Sequence, residues 1–129
     1  MLHFLYGIFV ILHGLVHLWY VTLSQSWVPF KPDMGWTGKS WLITNAIGDS
    51  ATRSLAALIY TLITIAFVGG GIGLLVRSDW WTSAIIGAAT ASTIAILVFW
   101  DGSPAMLVQK GLLGLLINLA LLASILLFD

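Results

Sequence analysis

FLYGIFVILHGLVHLWYVTLS, residues 4–24, is an apolar run long enough to cross a bilayer, and it carries two histidines one helical turn apart. A helix spanning the hydrocarbon core needs about 20 predominantly apolar residues. Three further stretches meet that requirement, at 54–76, 80–100 and 111–128. The sequence therefore predicts an all-α fold: a four-helix transmembrane bundle forming a single domain over 1–129. The links at 77–79 and 101–110 are short, which makes the helices they join antiparallel neighbours and gives an up-down-up-down order.

Composition points the same way. Of 129 residues, 60% are hydrophobic and 8% charged, against roughly 25% charged in an ordinary soluble domain. Five basic and five acidic residues cancel, and no basic run offers a footprint for nucleic acid. With no cysteine, disulfides, thiolate nucleophiles, cysteine-held clusters and covalently attached c-type haem are excluded. The opening MLHFLYG has no Lys or Arg ahead of the apolar run, and no small-residue cleavage pattern follows it, so the segment reads as a retained helix.

The long connection between the first two helices, 25–53, holds Trp27, Pro29, Phe30, Pro32, Trp36 and Trp41. Indoles settle at membrane interfaces, with one end apolar and one end wet. The segment is expected to be an aromatic loop at headgroup level, with Trp36 and Trp41 as a lid. Lys31, Lys39, Arg53 and Lys110 fall on its side of the bundle and Arg77 on the other. The excess of basic residues then places the long loop in the cytoplasm and the termini outside.

At about 100° per residue, Tyr6, His13, His17, Tyr20 and Ser24 share one face of the first helix, with His3 at its margin. A polar stripe at membrane depth is costly against lipid, so it should turn into the bundle or a subunit interface. By the same arithmetic Arg53, Ala57, Tyr60, Thr64 and Gly71 form the inner face of the second helix, and Thr82, Thr93 and Trp100 that of the third. The fourth offers Asn118 beside Gly111 and Gly114. Counting inward from the loop side sets His17 and Asn118 at similar depth, with Tyr20, Arg53, Tyr60, Trp100 and Asp101 in the same half of the membrane.

These residues suggest a pocket. His13 and His17 are the candidate acid–base or hydrogen-bonding groups, and Tyr20, Arg53, Tyr60, Trp100, Asp101 and Asn118 the candidate ligand contacts, with an Arg53–Asp101 pair over the mouth. The same groups would also serve as interhelical glue. HGLVH lacks the Glu of HExxH and a third ligand is missing, so no metal site is expected. A haem between two histidines would need a dimer, because His3, His13 and His17 all lie on one helix. No cofactor is named by these residues, and no nucleophile elbow marks a hydrolase.

Small residues recur four apart at Gly69 and Gly73, Ala84 and Ala88, and Gly87 and Ala91. They are expected to be contact seams, within one chain, in a homo-oligomer or in a larger membrane complex. Two functions follow. One is an integral membrane protein that binds, or acts on, a small or lipid-like molecule in a pocket around the two histidines. The other is a non-catalytic accessory or scaffold subunit of a membrane complex.

HGLVHL at 13–18, GWTGKSW at 35–41, GLLVRSDWW at 73–81 and FW at 99–100 resemble a family of small four-helix bacterial and archaeal membrane proteins. Size and layout are also loosely similar to DoxX-like proteins. The resemblance covers most of the chain and implies a four-helix fold in the cell membrane, surrounded by membrane lipids, without implying an activity. The family's marked positions correspond to His13, His17, Trp36, Gly38 and Trp41. Its turn between the second and third helices is richer in arginine than this one, and a more basic turn there would put the termini inside.

Overall fold

A computed structural model describes residues 1–128. It contains four helices long and apolar enough to cross a membrane: α1 (Leu2–Ser24), α2 (Thr44–Leu75), α3 (Trp81–Val98) and α4 (Val108–Leu127). Among the described residues there is no strand. The first and third helices match the expected spans closely, while α2 starts ten residues early, at Thr44 instead of 54, and α4 three early.

Both extensions are made by glycines at positive φ, where residues with a Cβ are strained. Gly48, at φ 86°, kinks the first turns of α2 away from the long helix that follows. Gly111, at φ 116°, lies in the π-helical opening of α4, Val108–Leu112. A Cβ there would come within 2.8 Å of both Ile96 Cγ2 and the Tyr20 hydroxyl, so the residue also lets α4 approach α1 and α3.

α1 is interrupted once. Its helical pieces, Leu2–Val16 and Leu18–Ser24, meet at His17. In a regular α-helix the His17 N–H would bond to the carbonyl of His13. Here that carbonyl accepts from His17's own ring Nδ1, at 3.0 Å, and the backbone N–H bonds instead to Gly14, at 3.1 Å. The local tightening of the helix is thus tied to a side chain of the polar stripe.

Close packing of α1 on α2 rests on glycine. A Cβ on Gly71 would lie 2.8 Å from the Gly7 carbonyl, and one on Gly14 2.5 Å from Phe67 Cβ. Gly70 meets α3 in the same way, with Ile85 at 2.7 Å. At Gly69 and Gly87 a Cβ would meet nothing within 4 Å, so these two glycines make no close approach within the described residues. The buried interior comprises Val10, Tyr20, Ala56, Tyr60, Phe67, Ile85, Ala88, Ala89, Ile96 and Phe99, with Leu121 and Ile125 from α4. Large apolar side chains such as Leu12, Leu58, Ile65, Ile94 and Leu126 cover the outside.

Candidate functional site

Four buried polar side chains from three helices form one hydrogen-bonded ring. His13 Nε2 lies 2.8 Å from Asn118 Oδ1, and Asn118 Nδ2 donates to Ser92 Oγ at 2.8 Å. Ser92 Oγ lies 2.6 Å from His17 Nε2, and His17 Nδ1 closes the circuit on the His13 carbonyl. Asn118 and Ser92 are each 0% exposed.

The direction of every bond follows from the atoms that can only accept. Asn118 Oδ1 has no hydrogen, so His13 Nε2–H donates to it. The His13 carbonyl has none either, so His17 Nδ1–H donates to it. With His17 carrying its proton on Nδ1, its Nε2 accepts the Ser92 hydroxyl hydrogen, which leaves the serine oxygen free to accept from Asn118. Both imidazoles are satisfied as neutral rings, in keeping with the cost of charge at membrane depth. Among the described residues the single ion pair lies elsewhere.

The expected register needs one correction. Asn118 pairs directly with His13, one turn along α1 from His17, the kink at Gly111 having made a count along α4 from the loop side unreliable as a measure of depth. His17 reaches Asn118 through Ser92 of α3, a residue outside the expected polar faces. The inner face of α3 is Ile85, Ala88, Ala89, Ser92, Ala95, Ile96 and Phe99. The expected face of Thr82, Thr93 and Trp100 is only partly buried, and the Thr93 hydroxyl bonds within its own helix to Ala89.

A cavity of about 610 Å³ lies against this ring, between α1 and α4. His13, His17 and Tyr20 line it from α1, and Gly111, Gly114 and Ile117 from α4. Val16 and Leu113, 64% and 55% exposed, flank its side, and Asp33, Met34 and Gln109 its rim. Its volume falls in the range of small-molecule sites, roughly 300–1,000 Å³. Among the described residues no Lys or Arg lines it.

The remaining expected contacts are distributed elsewhere. Tyr60 stacks on Tyr20 at 4.5 Å between ring centroids and is buried behind the cavity wall. Arg53 faces a separate cavity with Trp27, Phe30 and Thr37. The Arg53–Asp101 pair does not form. Arg53 donates to the carbonyls of Leu23 and Thr37, at 3.1 and 2.9 Å, while Asp101 pairs with Lys110 at 3.0 Å. Thr37 stands between them, its hydroxyl donating to Asp101 at 3.1 Å. The reason is steric as well as electrostatic: Gly38 presses its backbone onto the guanidinium, and the π-helical start of α4 delivers Lys110 to the carboxylate. Trp100 donates to the Ser103 carbonyl and lines a smaller cavity with Lys110.

Neither tryptophan expected as a lid covers the histidines. Trp36 is 2% exposed and wedged into the bundle, its indole N–H shared between the carbonyls of Phe99 at 2.7 Å and Lys39 at 3.1 Å. Positive φ at Gly35 and Gly38 turns the chain so that the ring enters the core, against Tyr20 and Tyr60. Trp41 is 55% exposed, with its N–H on the Leu97 carbonyl. The part of the connection that reaches the cavity is Asp33 and Met34.

Among the described residues no cluster of His, Asp or Glu could hold a metal ion. The fold and site define an all-helical bundle with four helices fit to cross a membrane and an uncharged polar ring at its centre. No family model, curated protein or solved structure matches the chain.

Proposed function

We propose that this is an integral membrane protein that binds a small or lipid-like molecule in the cavity between α1 and α4, against His13 and His17. The observation that carries the reading is the cavity of about 610 Å³ with the two imidazoles in its wall, their orientation held by Asn118 and Ser92. The four helices are arranged up-down-up-down. Support comes from residue pairings whose numbers run in opposite senses: Gly7 with Gly71 and Gly14 with Phe67, Gly70 with Ile85 and Gly73 with Trp80, and His13 with Asn118 and Tyr6 with Ser124.

On the same reading the chain is a cell-membrane protein of the small four-helix kind its motifs resemble, with its long loop toward the cytoplasm. Membrane lipids are its immediate partners, and the cavity opens toward them between Val16 and Leu113. The accessory or scaffold reading makes the polar ring glue alone.

The two readings part under labelling. A diazirine-bearing alkyl probe, added to the protein in vesicles, should label the cavity flanks of α1 and α4 in excess over other lipid-facing positions. Gly114→Leu should remove the excess: a Cβ there meets only Ile96, at 3.6 Å, so the side chain fills the cavity without disturbing the ring. Even labelling of all four helices, unchanged by that substitution, would remove the binding reading. His13→Phe combined with His17→Leu should weaken retention in a folded protein, whereas altered assembly with unchanged labelling favours the scaffold.

A further inference from the structure

The hydrogen-bond directions constrain what the cavity can hold. The ring uses His13 Nε2, Asn118, Ser92 and both nitrogens of His17. Nδ1 of His13 is left over. Among the described residues it meets no hydrogen-bonding partner, and no buried side-chain nitrogen or oxygen is without one. Nδ1 therefore keeps some exposed surface, and His13, 6% exposed, lines the cavity.

That atom has one chemical character. Because Nε2 holds the proton that Asn118 accepts, Nδ1 carries a lone pair and no hydrogen. A ligand group that only accepts, such as a ketone, ether or carboxylate, gains nothing from it. A hydroxyl can donate to it.

Charge narrows the class further. With no Lys or Arg in the lining and the exposed Asp33 carboxylate at the rim, an anionic head would enter unpaired and against a like charge. Such a group is expensive to bury. The remaining walls are Val16, Trp19, Ile96, Leu113 and Ile117, which suit a hydrocarbon body.

Resting on the binding reading above, we propose that the cavity takes an uncharged, hydroxyl-headed lipid, a long-chain or isoprenoid alcohol or phenol, whose hydroxyl donates to Nδ1 of His13 while its tail leaves between α1 and α4. The ligand adds to the ring without breaking it, because it uses the one nitrogen the ring does not.

The test compares heads on one tail. Hexadecanol, methyl hexadecyl ether and hexadecanoate compete against a diazirine-bearing long-chain alcohol for labelling of the full chain in nanodiscs, with labelled residues located by peptide mass spectrometry. A single neutral hydrogen bond is worth about 1 kcal/mol, so hexadecanol should compete about fivefold more strongly than the ether. Hexadecanoate should be the weakest of the three. His13→Leu should erase the difference between alcohol and ether while both still compete, and if that variant does not fold, the ranking in the unaltered protein decides alone. Equal competition by alcohol and ether, or a preference for the acid, overturns the hydroxyl inference and leaves the cavity as a lipid site. Failure of the label to enter the cavity at all removes both.

Discussion

Replacing Asn118 by Leu isolates the ring, because the two side chains are close in size and differ mainly in the amide. Asn118 is 0% exposed and touches His13 on α1 and Ser92 on α3 at 2.8 Å each. Interhelical hydrogen bonds in membranes average about 0.6 kcal/mol, so the two direct losses come to about 1 kcal/mol. The larger cost is the His13 Nε2–H left facing hydrocarbon, since a stranded buried donor costs about 1–3 kcal/mol. A destabilisation of about 2–4 kcal/mol is expected, read by reversible unfolding in mixed micelles with tryptophan fluorescence.

The sharper measure is a double-mutant cycle. His13→Phe removes the donor that Asn118→Leu strands, so the pair should cost about 1 kcal/mol or more less than the sum of the single variants. Additivity within about 0.5 kcal/mol would refute the ring, because residues that do not share an interaction add to that accuracy. Ser92→Ala provides a second arm: it removes the hydroxyl that His17 Nε2 accepts from, and it should couple to Asn118→Leu but not to Tyr6→Phe.

Other positions discriminate the remaining claims. Gly71→Ala should lower stability by about 1–3 kcal/mol by forcing α1 from α2, since its Cβ would meet Ile11 Cγ1 at 2.5 Å; Gly69→Ala, with open space around it, should be neutral in the same unfolding assay. Lys110→Met should cost about 3–5 kcal/mol by leaving the Asp101 carboxylate unpaired, the two side chains being 5% exposed, and Asp101→Asn in the same chain should recover much of that loss. Trp36→Phe should reduce thermal stability through loss of the indole N–H to Phe99 and Lys39, without the selective change in cavity labelling that loss of a lid would produce.

The helices were legible because uninterrupted apolar length is a one-dimensional signal. So was the polar stripe of α1, where His13, His17 and Tyr20 stand out from Val, Leu and Phe at helical spacing. Ser92 was not. α3 carries Thr82, Ser83, Thr90, Ser92 and Thr93 on several faces, and its small Ala residues hide which side is inward, so no periodicity selects one hydroxyl. Which histidine Asn118 meets depended on how the chain enters α4, and that turns on Gly111 adopting a positive φ beside Tyr20. Trp36 escaped for a related reason. The preference of indoles for interfaces places it at the right level, but only the turns at Gly35 and Gly38 decide that it points inward. The partner of Asp101 was likewise a matter of three-dimensional order, since Thr37 and Lys110 arrive from opposite ends of the chain's long connections.

The bundle is not held equally on all sides, and the inequality bears on how a ligand would enter. α1 meets α2, and α2 meets α3, through glycines that let the helices approach closely; separating them would give up that close packing along the whole seam. α1 meets α4 chiefly through side chains, with His13 on Asn118 and Tyr6 on Ser124 at 2.8 and 2.9 Å. Two such bonds together are worth about 1 kcal/mol in a membrane, and stranding the His13 donor adds about 1–3 kcal/mol, a cost that falls only while the helices are apart. If a lipid enters the cavity, parting α1 from α4 is therefore the least costly route, and it runs past Val16 and Leu113 directly from the hydrocarbon. A hydroxyl arriving by that path reaches Nδ1 of His13 while Nε2 remains on Asn118, so binding need not unmake the bond that closes the seam. The polar ring and the binding reading are in this sense compatible: the same histidine can hold the two helices together with one nitrogen and offer the other to whatever passes between them.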